Sequence, residues 1–185
     1  MLKKIIGLVI PALLLCVPGC SSHSVTKSFV RENASLAHIQ HVAVLPFAGG
    51  GKAQRVREYT MTQLLASGTF DVVDKGLVDS VLAQEVIGAD TPIDASTIRR
   101  LGQLLNVQAF IVGSVEQSNV TRGNAAFAEI IMTLRLIDSE TGIILWQASG
   151  RGSGYSLADR LFGMAPKDSF TVTMGLLDDL FKTMR

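Results

Sequence analysis

Residues 127–146 read FAEIIMTLRLIDSETGIILW. Ile130, Met132, Leu134 and Leu136 alternate with Glu129, Thr133 and Arg135, the period-two pattern of a strand with one face buried and the other outward. Asp138-Ser139-Glu140-Thr141-Gly142 interrupts the pattern, with Gly142 where a tight turn needs positive φ. Residues 143–148 return as the partner strand and carry Trp146, the one tryptophan. The stretch is an antiparallel hairpin, so the sheet is not purely parallel.

Upstream, residues 107–115 form a continuous apolar run suited to a buried strand, and residues 118–124 a polar turn region. Asp94 is placed to cap a helix with Ile98, Leu101, Leu104 and Leu105 on one face. Leu77, Val78, Val81, Leu82 and Val86 give a second helical stripe, and Phe70-Asp71-Val72-Val73-Asp74 a short strand. Val56, Met61, Leu64 and Leu65 fit a helix over residues 53–66 that Ser67-Gly68 ends. The run His41-Val42-Ala43-Val44-Leu45-Pro46-Phe47, broken by Gly49-Gly50-Gly51, opens the domain. Downstream, residues 149–168 are Gly-rich and charged. A last helix from about Ser169 to Met184 carries Phe170, Met174, Leu177, Leu180, Phe181 and Met184. The expected fold is a single α/β domain. Its mixed sheet has about five strands, in the order β-α-β-α-α-β-β-β-α, flanked by helices.

The chain has 185 residues, room for one ordinary domain. With 48% apolar residues it has material for a core. A net charge of +1 without a basic cluster excludes a nucleic-acid footprint. At the N-terminus, Lys3 and Lys4 precede an uncharged stretch over residues 5–17, too short to span a bilayer but suited to a signal peptide. Val17-Pro18-Gly19-Cys20 resembles the bacterial lipobox, although Pro18 departs from the usual small residue. Residues 1–19 are thus expected as a lipoprotein signal peptide, with Cys20 as the lipid-attachment residue. Residues 20–39 are expected as a polar tether, and residues 40–185 as the domain. Cleavage removes Lys3 and Lys4 and no acid, which leaves 15 basic and 16 acidic side chains. Ser21 after the anchor resembles an outer-membrane sorting signal.

Catalytic chemistry is hard to find. Gly49-Gly50-Gly51-Lys52 lacks both the earlier Gly of a phosphate loop, where Pro46 stands, and the following hydroxyl, where Ala53 stands. His23, His38 and His41 have no second ligand at a zinc spacing. Gly152-Ser153-Gly154 lacks the spacing of a nucleophile elbow. No enzyme, cofactor or metal is expected. Glu129 and Arg135 read as surface or interface residues. Residues 150–167 form a loop long enough to be functional, in which Arg151, Tyr155, Arg160 and Phe162 are of interface-prone types. Alternatively, Leu161 and Phe162 fold back onto the core.

Taken in order, five stretches resemble one family: Val42-Ala43-Val44-Leu45-Pro46-Phe47; Phe70-Asp71-Val72-Val73-Asp74; residues 101–115; Leu134-Arg135-Leu136-Ile137-Asp138; and Thr141-Gly142 with Leu145-Trp146. They look like the CsgG-type lipoproteins, a grouping that takes in the penicillin-binding-protein activator lipoproteins. The resemblance covers residues 41–148 and rests on order and spacing. It implies an exported, lipid-anchored, non-catalytic α/β protein on the periplasmic face of the outer membrane that works by protein contacts. The long alternating segments of the channel-forming members are not evident, so a compact relative that makes no pore is expected. Its partners are expected to be envelope proteins. The first expectation is an assembly or secretion accessory. Activation of a peptidoglycan synthase, or a ring of copies of this chain, are the alternatives.

Overall fold

The computed structural model describes residues 24–32, 36–88, 91–122, 125–156, 159 and 161–184. The elements run β1 (Ser24–Val30), β2 (His41–Val44), α1 (Gly51–Ser67), β3 (Asp71–Val72), α2 (Lys75–Gln84), α3 (Ala95–Leu105), β4 (Ala109–Arg122), β5 (Ala125–Asp138), β6 (Ile144–Ser153) and α4 (Ser169–Lys182). The sheet order is β1-β6-β5-β4-β2-β3. β2 is parallel to β3 and β4, and the other pairs are antiparallel. The α/β class, the mixed sheet and, among the described residues, the four α-helices given above are as expected. The sheet has six strands rather than five.

The sixth is β1, which lies within the segment expected as a tether. It pairs along its whole length with β6, from Ser24 opposite Gly152 to Val30 opposite Trp146. Its inward Thr26 is small and polar, so no apolar period marks it. The second difference is the length of the central hairpin. Residues 118–122, expected as a turn, continue β4, which pairs with β5 from Ala109 opposite Asp138 to Arg122 opposite Ala125. Glu116, Ser118 and Asn119 are exposed, so burial imposes no alternation on this half of the strand.

Each end of a helix leaves backbone groups to satisfy, and side chains do this locally. Asp74 accepts from the amides of Gly76 and Leu77, Asp94 from that of Thr97, and Asp168 from the amide and hydroxyl of Thr171. The Thr97 amide and hydroxyl, with Ser96, hold the Asp94 carboxyl below the usual carboxylate range. Thr171 does the same for Asp168. α2 ends early: Val86 takes φ 59° and is exposed, so it leaves the predicted stripe, as does exposed Leu77. Leu104 is likewise exposed on α3. On α4 the buried side is Val172, Leu176, Leu177 and Leu180, while Phe170 is exposed and instead meets the Tyr59 ring edge-on at 5.1 Å.

α1 and α4 cover one face of the sheet, packing Ala53, Val56, Leu64, Val172, Leu176 and Leu180 against Ile130, Met132, Leu134 and Leu136. Trp146 is fully buried there and donates from Nε1 to Thr183 Oγ1 at 3.0 Å. α4 approaches β6 closely because Gly150 has no side chain: a Cβ there would lie 2.8 Å from Leu176 Cδ1. α2 and α3 cover the β2–β3–β4 part of the other face and the Ile137 end of β5, packing Val78, Leu82, Ile98 and Leu101 on Ala43, Leu45 and Phe110. Arg57 joins the two layers. It is 1% exposed, donates from Nε to the Val44 carbonyl at 2.9 Å and from Nη1 to Asp79 at 2.6 Å.

The Gly49-Gly50-Gly51 loop is pinned rather than free. The Ala48 amide donates to Gly113 O and the Val115 amide donates to Ala48 O. Gly49 has φ 125°, and a Cβ there would lie 2.0 Å from Val115 O.

Candidate protein interface on the open sheet face

Because α2 and α3 reach only as far as the Ile137 end of β5, no described helix covers the rest of β5, β6 and β1 on that side. The register of the strands arranges the outward side chains in rows. Val25, Arg151, Ile131 and Glu116 make one row. Lys27, Ser149, Thr133 and Ser114 make the next, and Phe29, Gln147, Arg135 and Val112 the third. These positions alternate with the core residues of the same strands, so the burial of Ile130, Met132 and Leu134 fixes their direction.

The face is held in place by its own contacts. Thr133 and Ser149 share a hydroxyl hydrogen bond of 2.8 Å across β5 and β6. Arg135 donates from Nε to Gln147 Oε1 at 3.2 Å. Arg151 faces Glu129 at 3.8 Å with more than half of its side chain exposed. Arg31 donates from Nε to Ile144 O at 3.0 Å, and its guanidinium lies 6.0 Å from the centre of the Phe29 ring. Three large apolar side chains remain open to solvent: Val25 at 74% exposure, Phe29 at 50% and Ile131 at 36%. Apolar side chains in a polar frame, with arginines beside them, are the composition of a protein interface.

The predicted site residues fall in different places. Arg151 lies in the middle of this face. Tyr155 packs on Phe127, ring centres 5.7 Å apart, and is only partly exposed. Phe162 is 79% exposed beyond the sheet, beside Leu161 at 83%, so neither folds back onto the core. Arg160 and Cys20 lie outside the described residues. Of the four interface candidates, the three described ones, Arg151, Tyr155 and Phe162, therefore stand in different surroundings. The structure joins Arg151 instead to Val25, Phe29, Ile131 and Arg135. Of these, the signal for Ile131 and Arg135 was the outward phase of the β5 alternation. Val25 and Phe29 are visible only once β1 is known to be a strand. The loop after β6 is shorter than expected, since β6 runs to Ser153. Its two ends meet where the Lys167 amide donates to Gly154 O at 2.8 Å.

Two of the grooves elsewhere are the more spacious ones. One of about 600 Å³ is lined by Leu36, Ile39, Leu64, Phe70, Phe181 and Met184, with Asp178 and Lys182 at its rim. Asp178 and Asp179 accept from the Lys182 ammonium and raise its pKa. The other, about 670 Å³, is polar and includes His38, Arg99, Asp138 and Glu140. In the second, the Thr141 hydroxyl donates to Asp138 Oδ1 at 2.6 Å within the β5–β6 turn, and His38 Nε2 lies 3.9 Å from Asp138. Among the described residues no three His, Cys, Asp or Glu side chains gather as a metal site, and no helix is long and apolar enough to cross a membrane.

The model of the peptidoglycan-synthase activator LpoB family matches residues 53–151, from α1 through most of β6. No curated protein sequence matches the chain. Among solved structures, the PelC dodecamer from Paraburkholderia phytofirmans is similar at 18% identity and TM-score 0.55, over 85% of this chain and 95% of that one. Lipoprotein GNA1162 from Neisseria meningitidis is similar at 19% identity and TM-score 0.53, over 67% and 90%. At these identities the two structures show the fold. The comparisons do not support the CsgG-type assignment made first on motif order, whereas the activator lipoproteins grouped with it fit. Strand and helix order is shared across such folds, so order alone does not separate them.

Proposed function

The chain belongs to the peptidoglycan-synthase activator LpoB family, and we propose that it is a non-catalytic activator of a peptidoglycan synthase of the penicillin-binding-protein type. In this reading it is anchored through Cys20 to the periplasmic face of the outer membrane and touches the synthase with the open face of β1, β6 and β5. The family match is the observation that carries the reading, and the uncovered face supports the choice of surface. Lys27, Arg135 and Arg151 stand on it against Glu116 and Glu129, so the partner patch is expected to be acidic. Only four residues' advance separates Cys20 from β1. The reach across the periplasm then falls to the partner, and the assembly-accessory reading is set aside.

The test is glycan-strand polymerisation by a purified synthase with and without the full lipidated protein. Stimulation is expected. Ile131→Asp and Arg151→Glu are expected to weaken binding by about tenfold or more while leaving the melting temperature within a few degrees, since both side chains are exposed. Unchanged stimulation by both variants would move the contact off this face. No stimulation by the unaltered protein would remove the activator reading.

A further inference from the structure

We propose that the end of the domain bearing the β4–β5 hairpin tip and the loop after β6 is a membrane-docking surface that rests on the bilayer holding the Cys20 anchor. The proposal depends on Cys20 being the lipid-attachment residue, as in the reading above.

Ser24 is already hydrogen-bonded into the sheet opposite Gly152. Four steps of chain from Cys20 to Ser24 span at most about 14 Å even when fully extended. Ser24, Gly152, Ile130 and Gln117 lie in one row across the sheet. β4 continues past that row from Gln117 to Arg122, and five residues of antiparallel strand extend about 17 Å. The Arg122 end of β4 therefore projects as far as the anchor can stretch, on the side from which the anchor leaves. With the strands upright, the tip reaches the lipid headgroups before the anchor has any slack.

The chemistry of this end fits a headgroup layer. The loop closed at Gly154 and Lys167 presents Leu161, Phe162 and Met164 to solvent, all more than half exposed. Three large apolar side chains on one loop suit insertion at the interface between headgroups and acyl chains. Residues 117–128 contain Arg122 and no acidic residue. Lys52 and Arg55 line a groove with Gln117, Asn119 and Ser169, which places these cations at the same end. Asp159 is buried, with its carboxylate accepting from the Ser156 amide, and Asp168 is bound as the cap of α4. Exposed Lys52, Arg55 and Lys167 and the three apolar side chains stand at this end beside exposed Asp168 and partly buried Glu129, while the opposite end carries exposed Asp71 and Glu140.

Once residues 1–19 are removed and Cys20 is acylated, the chain has no free thiol, so Phe162→Cys gives a single attachment point for an environment-sensitive fluorophore. The experiment reconstitutes that full-chain lipidated variant, and a matching Glu140→Cys variant at the opposite end, in phosphatidylethanolamine–phosphatidylglycerol vesicles doped with brominated lipid. Mass analysis of Cys20 accompanies both. The label at residue 162 is expected to be quenched about twofold or more beyond that at residue 140, because an interfacial side chain sits within the acyl boundary. Acylated Cys20 with equal, water-like emission from both labels would overturn the docking surface and leave the anchor standing. An unmodified Cys20 would overturn both.

Discussion

Arg57 shows how one residue can hold two layers. β3 is only two residues long, so it leaves the Val44 carbonyl of β2 without a strand partner. Arg57 fills that position from α1 and continues past the sheet edge to Asp79 on α2. Its planar fork allows Nε and Nη1 to serve both acceptors at once, which an ammonium does not reproduce. Arg57→Met should lower unfolding free energy by about 2 kcal/mol, the cost of an orphaned buried carbonyl and a lost charge-assisted bond. Arg57→Lys should recover less than half of this. Urea unfolding of both variants checks the expectation. A loss no greater than that of the exposed Arg135→Ala would show that the clamp is not structural.

The elements respond to pH and to backbone freedom in ways the structure makes specific. Asp168 caps α4, and its carboxyl is held low by the Thr171 amide and hydroxyl. A folded-state pKa below the unfolded value means the cap's contribution is complete above about pH 4, the unfolded aspartate value, and is lost as pH falls through the lower folded value. Asp168→Ala should therefore lower the melting temperature at pH 7, and the gap to the unaltered protein should narrow below pH 4. A gap that stays constant with pH would contradict the role of the carboxylate. Gly49→Ala meets both a positive φ and the Val115 carbonyl, so it should abolish soluble expression or detach the start of α1 from β4, read by loss of cooperative unfolding.

The same elements show what the sequence reveals and what it hides. The hairpin around Asp138–Gly142, the cap at Asp94 and the order of helices were legible because burial and capping leave local marks. β1 and the outer half of β4 were not legible, since Thr26 and Ser118 face surroundings that require no apolar period. The α4 stripe was legible at Leu177, Leu180 and Met184, with Met174 and Phe181 against the core, and departs at Phe170, which packs sideways on Tyr59. Arg151 was found as a residue type suited to interfaces. Its setting with Val25 and Phe29 depended on a strand pairing across more than a hundred residues.

At the scale of the whole molecule, the architecture separates two surfaces by direction. β1 and β5 run away from the Ser24 end and β4 and β6 toward it, so the proposed lipid-docking end lies at one end of the sheet and the open face runs along its side. A domain seated on the membrane then displays Phe29, Ile131 and Arg135 laterally, within reach of a protein that extends to the outer membrane. Lengthening the chain between Cys20 and Ser24 with a flexible insert should leave partner affinity in solution unchanged. Binding on vesicles checks whether seating alone depends on the short anchor.

The central claim is that the open sheet face engages a peptidoglycan synthase. The most direct measurement is in-cell photocrosslinking from Ile131 of the lipidated protein, with mass spectrometry of the adduct. The account predicts a penicillin-binding synthase as the principal adduct, lost when Arg151→Glu is added. An adduct dominated by secretion components or by copies of this chain, with no synthase, would contradict it.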